Sequence, residues 1–246
     1  MNISEQELEI FSRHLILKEF DEAAFKKLQK KKITLIGLGG IGCPAIQYLV
    51  STGVKNIKLI DGDIVQKNNL NRQLLFSIND IKKSKAVVAK ERLKNINPEC
   101  NIDIERYNIN SKNINDALNN SSLIIDTTDN WKTMILINRY CVKRSIPLIS
   151  SSAIGFDGQV ILFKNKPKNH LCLQCIFPTN KEPDISRCDS VGIAGIAAGM
   201  TGLVTAQKAL NFLTNYKDDN YITMINAKSL KITNLMIEKN KKCRVF

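Results

Sequence analysis

The chain has 246 residues and lacks any apolar run of membrane-spanning length. Its most apolar stretch, residues 193–204, is too short and too rich in glycine to cross a bilayer. The first residues include three glutamates and lack the basic and apolar regions of a secretory signal. We therefore expect a cytoplasmic protein that does not associate with membranes.

Acidic residues are the minority among the charges: 36 lysines and arginines against 23 aspartates and glutamates give a formal net charge of +13. A clustered basic surface would suggest nucleic-acid binding. The lysines are scattered instead, and the two densest basic runs, residues 26–32 and 239–244, contain no interleaved aromatic residues. We expect no nucleic-acid partner, although the excess charge would attract an acidic protein.

The seven cysteines are an odd number, which in a cytosolic chain favours metal binding or catalysis over a disulfide framework. Cys172 and Cys175 have the C-x-x-C spacing of half a zinc site, which Cys243 could join from the C-terminal end. A fourth ligand is not evident, and His170 is a weak candidate. Cys188 lies in a polar loop beside an arginine, a neighbour that favours the reactive thiolate; an inert loop cysteine is the alternative.

Strand and helix patterns alternate through the first 150 residues, which is typical of an α/β protein with a Rossmann-like, doubly wound, mostly parallel sheet. After residue 150, the patterns predict a strand at 158–163, a crossing loop at 177–190, an apolar helix to about residue 213 and two antiparallel strands. With no linker or repeat, we predict a single domain over residues 1–246, with N-terminal helices at 1–31, a nucleotide-binding part at 32–150 and a third part at 151–246.

The first strand leads into a glycine-rich turn. An apolar run, residues 33–36, is followed by Gly37, Gly39, Gly40 and Gly42 and then by helix-forming sequence. A strand, a tight turn and a helix N-terminus form the usual phosphate-binding geometry. Asp61 ends the next strand, near the spacing at which an acidic residue binds a ribose hydroxyl. The turn predicts a nucleotide site, for which a dehydrogenase is the default interpretation.

Two cationic side chains favour phosphate chemistry instead. The turn lacks the lysine and hydroxyl of a Walker A loop, so a bound triphosphate needs cations from elsewhere. Arg72 and Lys85 are the candidates. Arg72 closes a polar segment that begins with Asn68, Asn69, Leu70 and Asn71. By spacing alone, a solvated helix face is the favoured interpretation of Lys85.

Asp129 and Asn130 follow a buried strand, at the sheet edge where doubly wound folds bind ligands. A carboxylate at Asp129 can hold Mg²⁺ against phosphates. Either residue can instead cap the helix that starts near Trp131. Asp126 is the second choice as a magnesium ligand.

Together these motifs resemble the ThiF/MoeB/HesA family, the bacterial relatives of ubiquitin-activating enzymes. The resemblance runs from about Glu7 to Cys243 and rests on F-S-R-H, G-L-G-G-I-G, D-G-D-I-V, N-N-L-N-R-Q, D-T-T-D-N, S-A-I-G-F-D-G-Q, C-L-Q-C and R-C-D-S-V-G-I-A-G. It implies a doubly wound fold with a helical N-terminus, usually homodimeric. It also implies adenylylation, with MgATP, of the C-terminal Gly-Gly carboxylate of a small ubiquitin-like sulfur carrier protein.

The resemblance also implies roles for individual residues. Gly40 and Asp61 would contact the nucleotide, Asn69, Arg72 and Lys85 its ribose and phosphates, and Asp129 the Mg²⁺. Arg13 would reach the ATP of the other subunit, and Cys172, Cys175 and Cys243 would bind zinc. Cys188 would handle the activated carrier and sulfur from a donor such as a cysteine desulfurase or rhodanese. The family's final C-x-x-C is truncated here to C-R-V-F, its serine before N-L is Asn68, and Ile10 replaces an arginine.

Within the family, S-A-I-G-F-D-G-Q and I-F-P-T-N-K-E-P favour ThiF, the thiamine-pathway enzyme that acts on ThiS. The segment G-C-P-A-I-Q-Y-L favours MoeB, the molybdopterin-pathway enzyme that acts on MoaD. We favour the ThiF-like function. A Rossmann NAD-dependent oxidoreductase would leave Arg72 and Lys85 unexplained, and intact Arg13 and Asp129 argue against a catalytically dead binding module.

Overall fold

The structure, a computed structural model, describes residues 3–18, 20–165, 171–178, 192–216, 221–240 and 243. Within these residues the α-helices are α1 (Glu5–Leu15), α2 (Glu22–Gln29), α3 (Gly42–Ser51), α4 (Lys85–Ile96), α5 (Ile114–Leu118), α6 (Trp131–Arg144), α7 (Leu173–Ile176) and α8 (Gly195–Thr214). The strands are β1 (Lys32–Ile36), β2 (Asn56–Ile60), β3 (Asn101–Glu105), β4 (Leu123–Asp126), β5 (Leu148–Ile154), β6 (Asp157–Phe163), β7 (Tyr221–Asn226) and β8 (Lys231–Met236).

All of these strands form one sheet in the order β3-β2-β1-β4-β5-β6-β7-β8. Strands β1 to β5 pair in parallel, and β6, β7 and β8 are antiparallel additions at one side. This arrangement confirms the prediction of a mostly parallel, Rossmann-like sheet with a helical N-terminus and antiparallel C-terminal strands. Ile36 pairs with Ile60 on one side and with Asp126 on the other. The carboxyl ends of β1, β2 and β4 therefore meet at one edge.

The core lies on both faces of the sheet, because helices cover both. Leu35 of β1 packs with Ile46 of α3 and Leu213 of α8 on one face. The next residue, Ile36, belongs to the core on the other face, together with Ile137 of α6. Continuous apolar strands such as residues 33–36 result from this double burial, and the polar residues begin where each strand ends.

The structure differs from the sequence patterns in three places. Helices α5 and α7 were not predicted, because segments of five and four residues are too short to show helical periodicity. Strand β5 continues to Ile154, past residue 150, where the predicted nucleotide-binding part ends, because its last residues pair with β6 in a hairpin. The crossing loop predicted at 177–190 lies mostly outside the described residues. Among the described helices, none has the length and apolar character needed to cross a membrane.

Candidate nucleotide site and cysteine cluster

The turn after β1 is built so that only glycine fits at two of its positions. Gly37 has φ +92°, a left-handed conformation that side chains disfavour, and its N–H donates to the carbonyl of Ile60 at 2.9 Å. A methyl group at Gly42 would lie 2.0 Å from the carbonyl oxygen of Gly37. The two glycines thus let α3 begin directly against the end of β1.

The same turn leaves backbone donors open. Within the described residues, the amides of Gly39, Gly40 and Gly42 donate to no other backbone group. A methyl group added at Gly39 would meet nothing within 4 Å, so this side of the turn faces open space. Free amides at the N-terminus of a ten-residue helix form an anion-binding site.

Asp61 ties the end of β2 to this turn. Its side chain is buried, and it accepts the N–H of Leu38 at 2.6 Å and that of Asp63 at 2.8 Å. Burial raises the pKa of the Asp61 carboxyl, while the charge of Lys85 and the two N–H donors oppose that rise. A carboxylate is therefore fixed beside the glycine turn, at the position expected for ribose binding.

Lys85 is the first residue of α4 and is only 5% exposed. Its Nζ lies 2.9 Å from Oδ2 of Asp63, and its backbone N–H donates to the carbonyl of Asp63 at 3.0 Å. The solvated helix face favoured by spacing alone is therefore wrong. Spacing misses this burial because the backbone bond to Asp63 draws the first turn of α4 toward the end of β2.

Arg72 lies against the glycine turn from the other side. A methyl group at Gly40 would come 3.3 Å from Cγ of Arg72 and 3.0 Å from Cβ of Ala198 in α8. Nη1 of Arg72 donates to the carbonyl of Asn68 at 2.9 Å and to Oδ1 of Asn71 at 3.0 Å. These bonds hold the guanidinium against its own segment, while Cβ and Cγ of the same side chain lie beside Gly40.

The other residues of this segment shape it. Asn69 is buried, and its Oδ1 accepts the N–H of Gln66 at 3.2 Å. Leu70 packs against the core, while Asn68 and Asn71 are exposed. Asn69 thus maintains a short 3-10 turn, Lys67–Asn69, that carries the chain to Arg72.

The two helix-cap candidates have separate positions. Oδ1 of Asn130 accepts the N–H of Thr133 at 3.0 Å, so Asn130 caps α6. Asp129 is exposed and has no hydrogen-bond or ion-pair partner among the described residues. Asp126 is buried and accepts the N–H and hydroxyl of Thr128 at 3.0 and 2.7 Å. Burial raises the pKa of Asp126 to about 6, so of the two carboxyl groups the exposed one of Asp129 is the more accessible to a cation.

A cavity of about 390 Å³ lies between the loop after β3 and the first turns of α6. It is lined by Ile109, Asn110, Ser111, Lys132, Thr133, Ile135, Leu136 and Arg139. The loop passes close to Asp61, because a methyl group at the neighbouring Gly62 would lie 2.7 Å from Oδ1 of Asn108. None of these residues was predicted, since the loop has no motif and the lining residues of α6 follow an ordinary helical pattern.

The three cysteines predicted to bind zinc come together. Sγ of Cys172 lies 3.9 Å from that of Cys175 and 3.6 Å from that of Cys243, and all three sulfurs lie within 4.8 Å of one another. A tetrahedral ion with Zn–S bonds of about 2.3 Å requires sulfurs about 3.8 Å apart, so the cluster fits zinc at three corners. Burial and the neighbouring thiols raise the pKa of Cys172, so a bound cation is needed to make it a thiolate at neutral pH.

Side chains of α6 hold the cysteine turn in place. Oδ1 of Asn138, which is fully buried, accepts the N–H of Leu173 at 3.0 Å, directly after Cys172. Arg139 donates to Gln174 at 3.4 Å. Of the remaining predicted residues, Arg13 is exposed near the end of α1. Cys188 and His170 lie outside the described residues.

An open glycine turn beside a buried carboxylate and two cationic side chains is typical of a nucleotide-binding α/β protein that handles phosphates. The ThiF family matches residues 11–245, so the chain belongs to the ThiF family, as the sequence resemblance indicated.

Two relatives and one solved structure show the extent of the similarity. The sulfur carrier protein ThiS adenylyltransferase of Escherichia coli is 32% identical over 236 residues, covering 96% of this chain and 93% of that protein. The adenylyltransferase and sulfurtransferase MOCS3 of Drosophila grimshawi is 32% identical over 247 residues, and the chain spans only 55% of its length. The crystal structure of Escherichia coli MccB with ATP has a TM-score of 0.78 at 22% identity, over 99% of this chain and 82% of that one, a likeness of fold.

Proposed function

We propose that the protein is an ATP-dependent adenylyltransferase that activates the C-terminal carboxylate of a small ubiquitin-like sulfur carrier protein ending in Gly-Gly. The observation that carries this proposal is the open glycine turn with Asp61, Arg72 and Lys85 arranged around it. Similarity to an enzyme named for adenylylation of ThiS, over nearly the whole of both chains, supports the same activity.

The proposed chemistry follows from these positions. The free amides of Gly39, Gly40 and Gly42 bind phosphate oxygens, and Arg72 and Lys85 neutralise their charge. The carrier carboxylate attacks the α-phosphorus, a C–O–P linkage forms, and the bond to the β-phosphate breaks to release pyrophosphate. The carboxylate is already ionised at neutral pH, so no base is required and positioned charges supply the catalysis. Asp129 would hold Mg²⁺, which supplies further charge neutralisation at the phosphates.

We propose that the nucleotide base occupies the cavity beside this site. Asp61 would bind the ribose, and the loop that touches Gly62 leads into the cavity under Ile109. Three apolar side chains of its lining, Ile109, Ile135 and Leu136, offer packing surface for a purine ring, and the polar ones offer hydrogen-bonding groups.

The carrier would be ThiS-like, with the MoeB-like use of MoaD as the alternative. The motif S-A-I-G-F-D-G-Q forms the β5–β6 hairpin, where a methyl group at Gly158 would lie 1.9 Å from Oγ1 of Thr201 in α8. This hairpin bonds through Gly155 to Gly192 and Ala194, at the start of α8. A carrier tail reaching the phosphates would pass this small-residue region beside Gly40 and Ala198.

We further propose a homodimer in which Arg13 serves the other subunit's ATP. Helix α1 and the residues after it expose apolar side chains around Arg13, namely Leu8, Ile10, Ile16 and Leu17. An apolar surface of this kind is usually covered by a partner. Mixing Arg13→Ala with Asp129→Ala subunits should restore activity in heterodimers; no gain over the parent proteins would exclude action across the interface.

Pyrophosphate exchange tests the main proposal. The protein should incorporate labelled pyrophosphate into ATP only with a carrier that ends in Gly-Gly, and the same carrier without these two residues is the matched control. A ThiS-like carrier should support faster exchange than a MoaD-like one. Exchange that is equal with the truncated carrier would contradict carrier adenylylation, and preference for a MoaD-like carrier would select the alternative.

Cys188 separates adenylylation from sulfur transfer. The carboxylate itself attacks ATP, so the thiol is needed only for a later step with a sulfur donor such as a cysteine desulfurase or rhodanese. Cys188→Ser should keep pyrophosphate exchange near the wild-type rate and lose formation of the carrier thiocarboxylate. A normal thiocarboxylate rate would make Cys188 an ordinary loop residue and would favour the MoeB-like function.

A further inference from the structure

We propose that Asp63, the second aspartate of D-G-D, is a positioning residue that holds the Lys85 ammonium at the phosphate site. The inference deepens the proposed function, because it rests on a triphosphate binding at the glycine turn. No motif predicted a role for Asp63, since the ribose-binding role falls on Asp61.

Three hydrogen bonds place Asp63 between the two halves of the site. Its N–H donates to Oδ1 of Asp61 at 2.8 Å, so its backbone is fixed to the ribose carboxylate. Its carbonyl accepts the N–H of Lys85 at 3.0 Å, and its Oδ2 accepts from Nζ of Lys85 at 2.9 Å. The other oxygen of Asp61 accepts from Leu38 in the glycine turn. A continuous path of bonds therefore runs from the turn through both aspartates to the lysine.

The burial of the two partners is unequal, and this decides what Asp63 can do. The side chain of Lys85 is 7% exposed, whereas that of Asp63 is 62% exposed. A buried ammonium needs a compensating anion, while an exposed carboxylate is ionised at little cost. Asp63 thus keeps a charged lysine inside the site before any nucleotide binds. It can do so through one of the three donors of the ammonium, which leaves the others for phosphate oxygens.

The ammonium of Lys85 needs to be positioned because the glycine turn has no lysine of its own. A Walker A lysine is fixed by the loop that carries it, but Lys85 comes from another helix on a flexible four-carbon stem. The side chain would lose preorganisation if nothing held Nζ in place. Asp63 provides that restraint, and its amide analogue retains the acceptor oxygen but loses the charge.

ATP binding, measured by calorimetry with MgATP and with adenosine, tests the inference without any carrier. Asp63→Ala should weaken ATP binding about tenfold, the usual order for losing a hydrogen bond to a charged group, and leave adenosine binding unchanged. Asp63→Asn should bind ATP between the wild type and the alanine variant. Asp103→Ala is the matched control. Asp103 lies on β3, is similarly exposed, and its Oδ2 is 3.5 Å from Nζ of Lys32 on β1.

A double-mutant cycle gives the decisive result. In the Lys85→Ala background, Asp63→Ala should cause no further loss of ATP affinity, because the lysine that it positions is gone. Additive losses, or tighter ATP binding by Asp63→Ala, would overturn the inference, since Asp63 would then act independently or compete with the phosphates. If pyrophosphate exchange fails with every carrier while this cycle shows coupling, the proposed function is wrong and the positioning role stands.

Discussion

The nucleotide edge and the cysteine cluster are assembled in different ways. The nucleotide edge, meaning Gly37–Gly42, Asp61–Asp63, Arg72, Lys85 and Asp129, takes its groups from the segments that follow strands β1, β2 and β4 and from the first residue of α4. The cysteine cluster, meaning Cys172, Cys175 and Cys243, joins residues 71 positions apart around a four-residue helix. Backbone geometry shapes the glycine turn at the centre of the first, whereas side chains of α6 hold the second in place. We therefore expect substitutions that disturb the backbone to be the most damaging at the nucleotide edge. At the cysteine cluster we expect zinc affinity to depend on the supporting side chains.

The largest effect is expected at the backbone of the nucleotide edge. Gly42→Ala places a methyl group 2.0 Å from the Gly37 carbonyl, and the start of α3 must move. We expect a loss of about 3–5 kcal/mol in the free energy of unfolding, in the range of severe core substitutions. Gly39→Ala, whose methyl group meets nothing within 4 Å, is the matched control. Denaturant unfolding measures both, and equal losses would show that the turn tolerates more than its contacts indicate.

Next in size are the cations of the nucleotide edge. Arg72→Ala or Lys85→Ala should reduce carrier-dependent pyrophosphate exchange about 100-fold or more, as expected for one preorganised charge. Asp129→Ala should do the same at limiting Mg²⁺. Arg144→Ala, an exposed arginine in the last turn of α6, is the control. Near wild-type exchange by Arg72→Ala would remove it from the site.

The contrast between the two regions also explains what the sequence could predict. Strand β6 and helix α8 end within one residue of their predicted ends, because apolar runs act locally. The burial of Lys85 could not be predicted, since it depends on a bond to Asp63, which is 22 positions earlier. Helix α7 was missed for its brevity. The closeness of Cys243 to Cys172 followed only from the C-x-x-C spacing and the family resemblance.

Asp126, the last residue of β4, gives a pH test next to the nucleotide edge. Burial raises its pKa to about 6, so the folded protein holds the proton more tightly than the unfolded chain. This stabilisation is complete below about pH 4 and is lost as the pH rises through about 6. Asp126→Asn lacks this loss, so its free energy of unfolding should rise relative to wild type by up to about 3 kcal/mol between about pH 4 and about pH 8. Denaturant titrations in magnesium-free buffer measure the difference, and Asp116→Asn, at an exposed site on α5, is the control substitution.

The smallest effect is expected at the cysteine cluster, from a residue that supports the cysteines without being one of them. Oδ1 of Asn138 accepts the N–H of Leu173 at 3.0 Å and so fixes the turn that carries Cys172 and Cys175. Asn138→Ala should weaken zinc binding about tenfold, the lower end for groups that orient metal ligands. Competition with a chelating dye under reducing conditions measures the zinc affinity.

Asn97→Ala is the matched control. It removes a similarly buried amide, whose Oδ1 accepts the N–H of Glu99 at 3.1 Å, at a position far from the cysteines along the chain. It should lower thermal stability and leave zinc affinity unchanged. Equal zinc affinity in both variants would mean that the three sulfurs hold the ion without help from α6, and the proposed difference between the two regions would then fail.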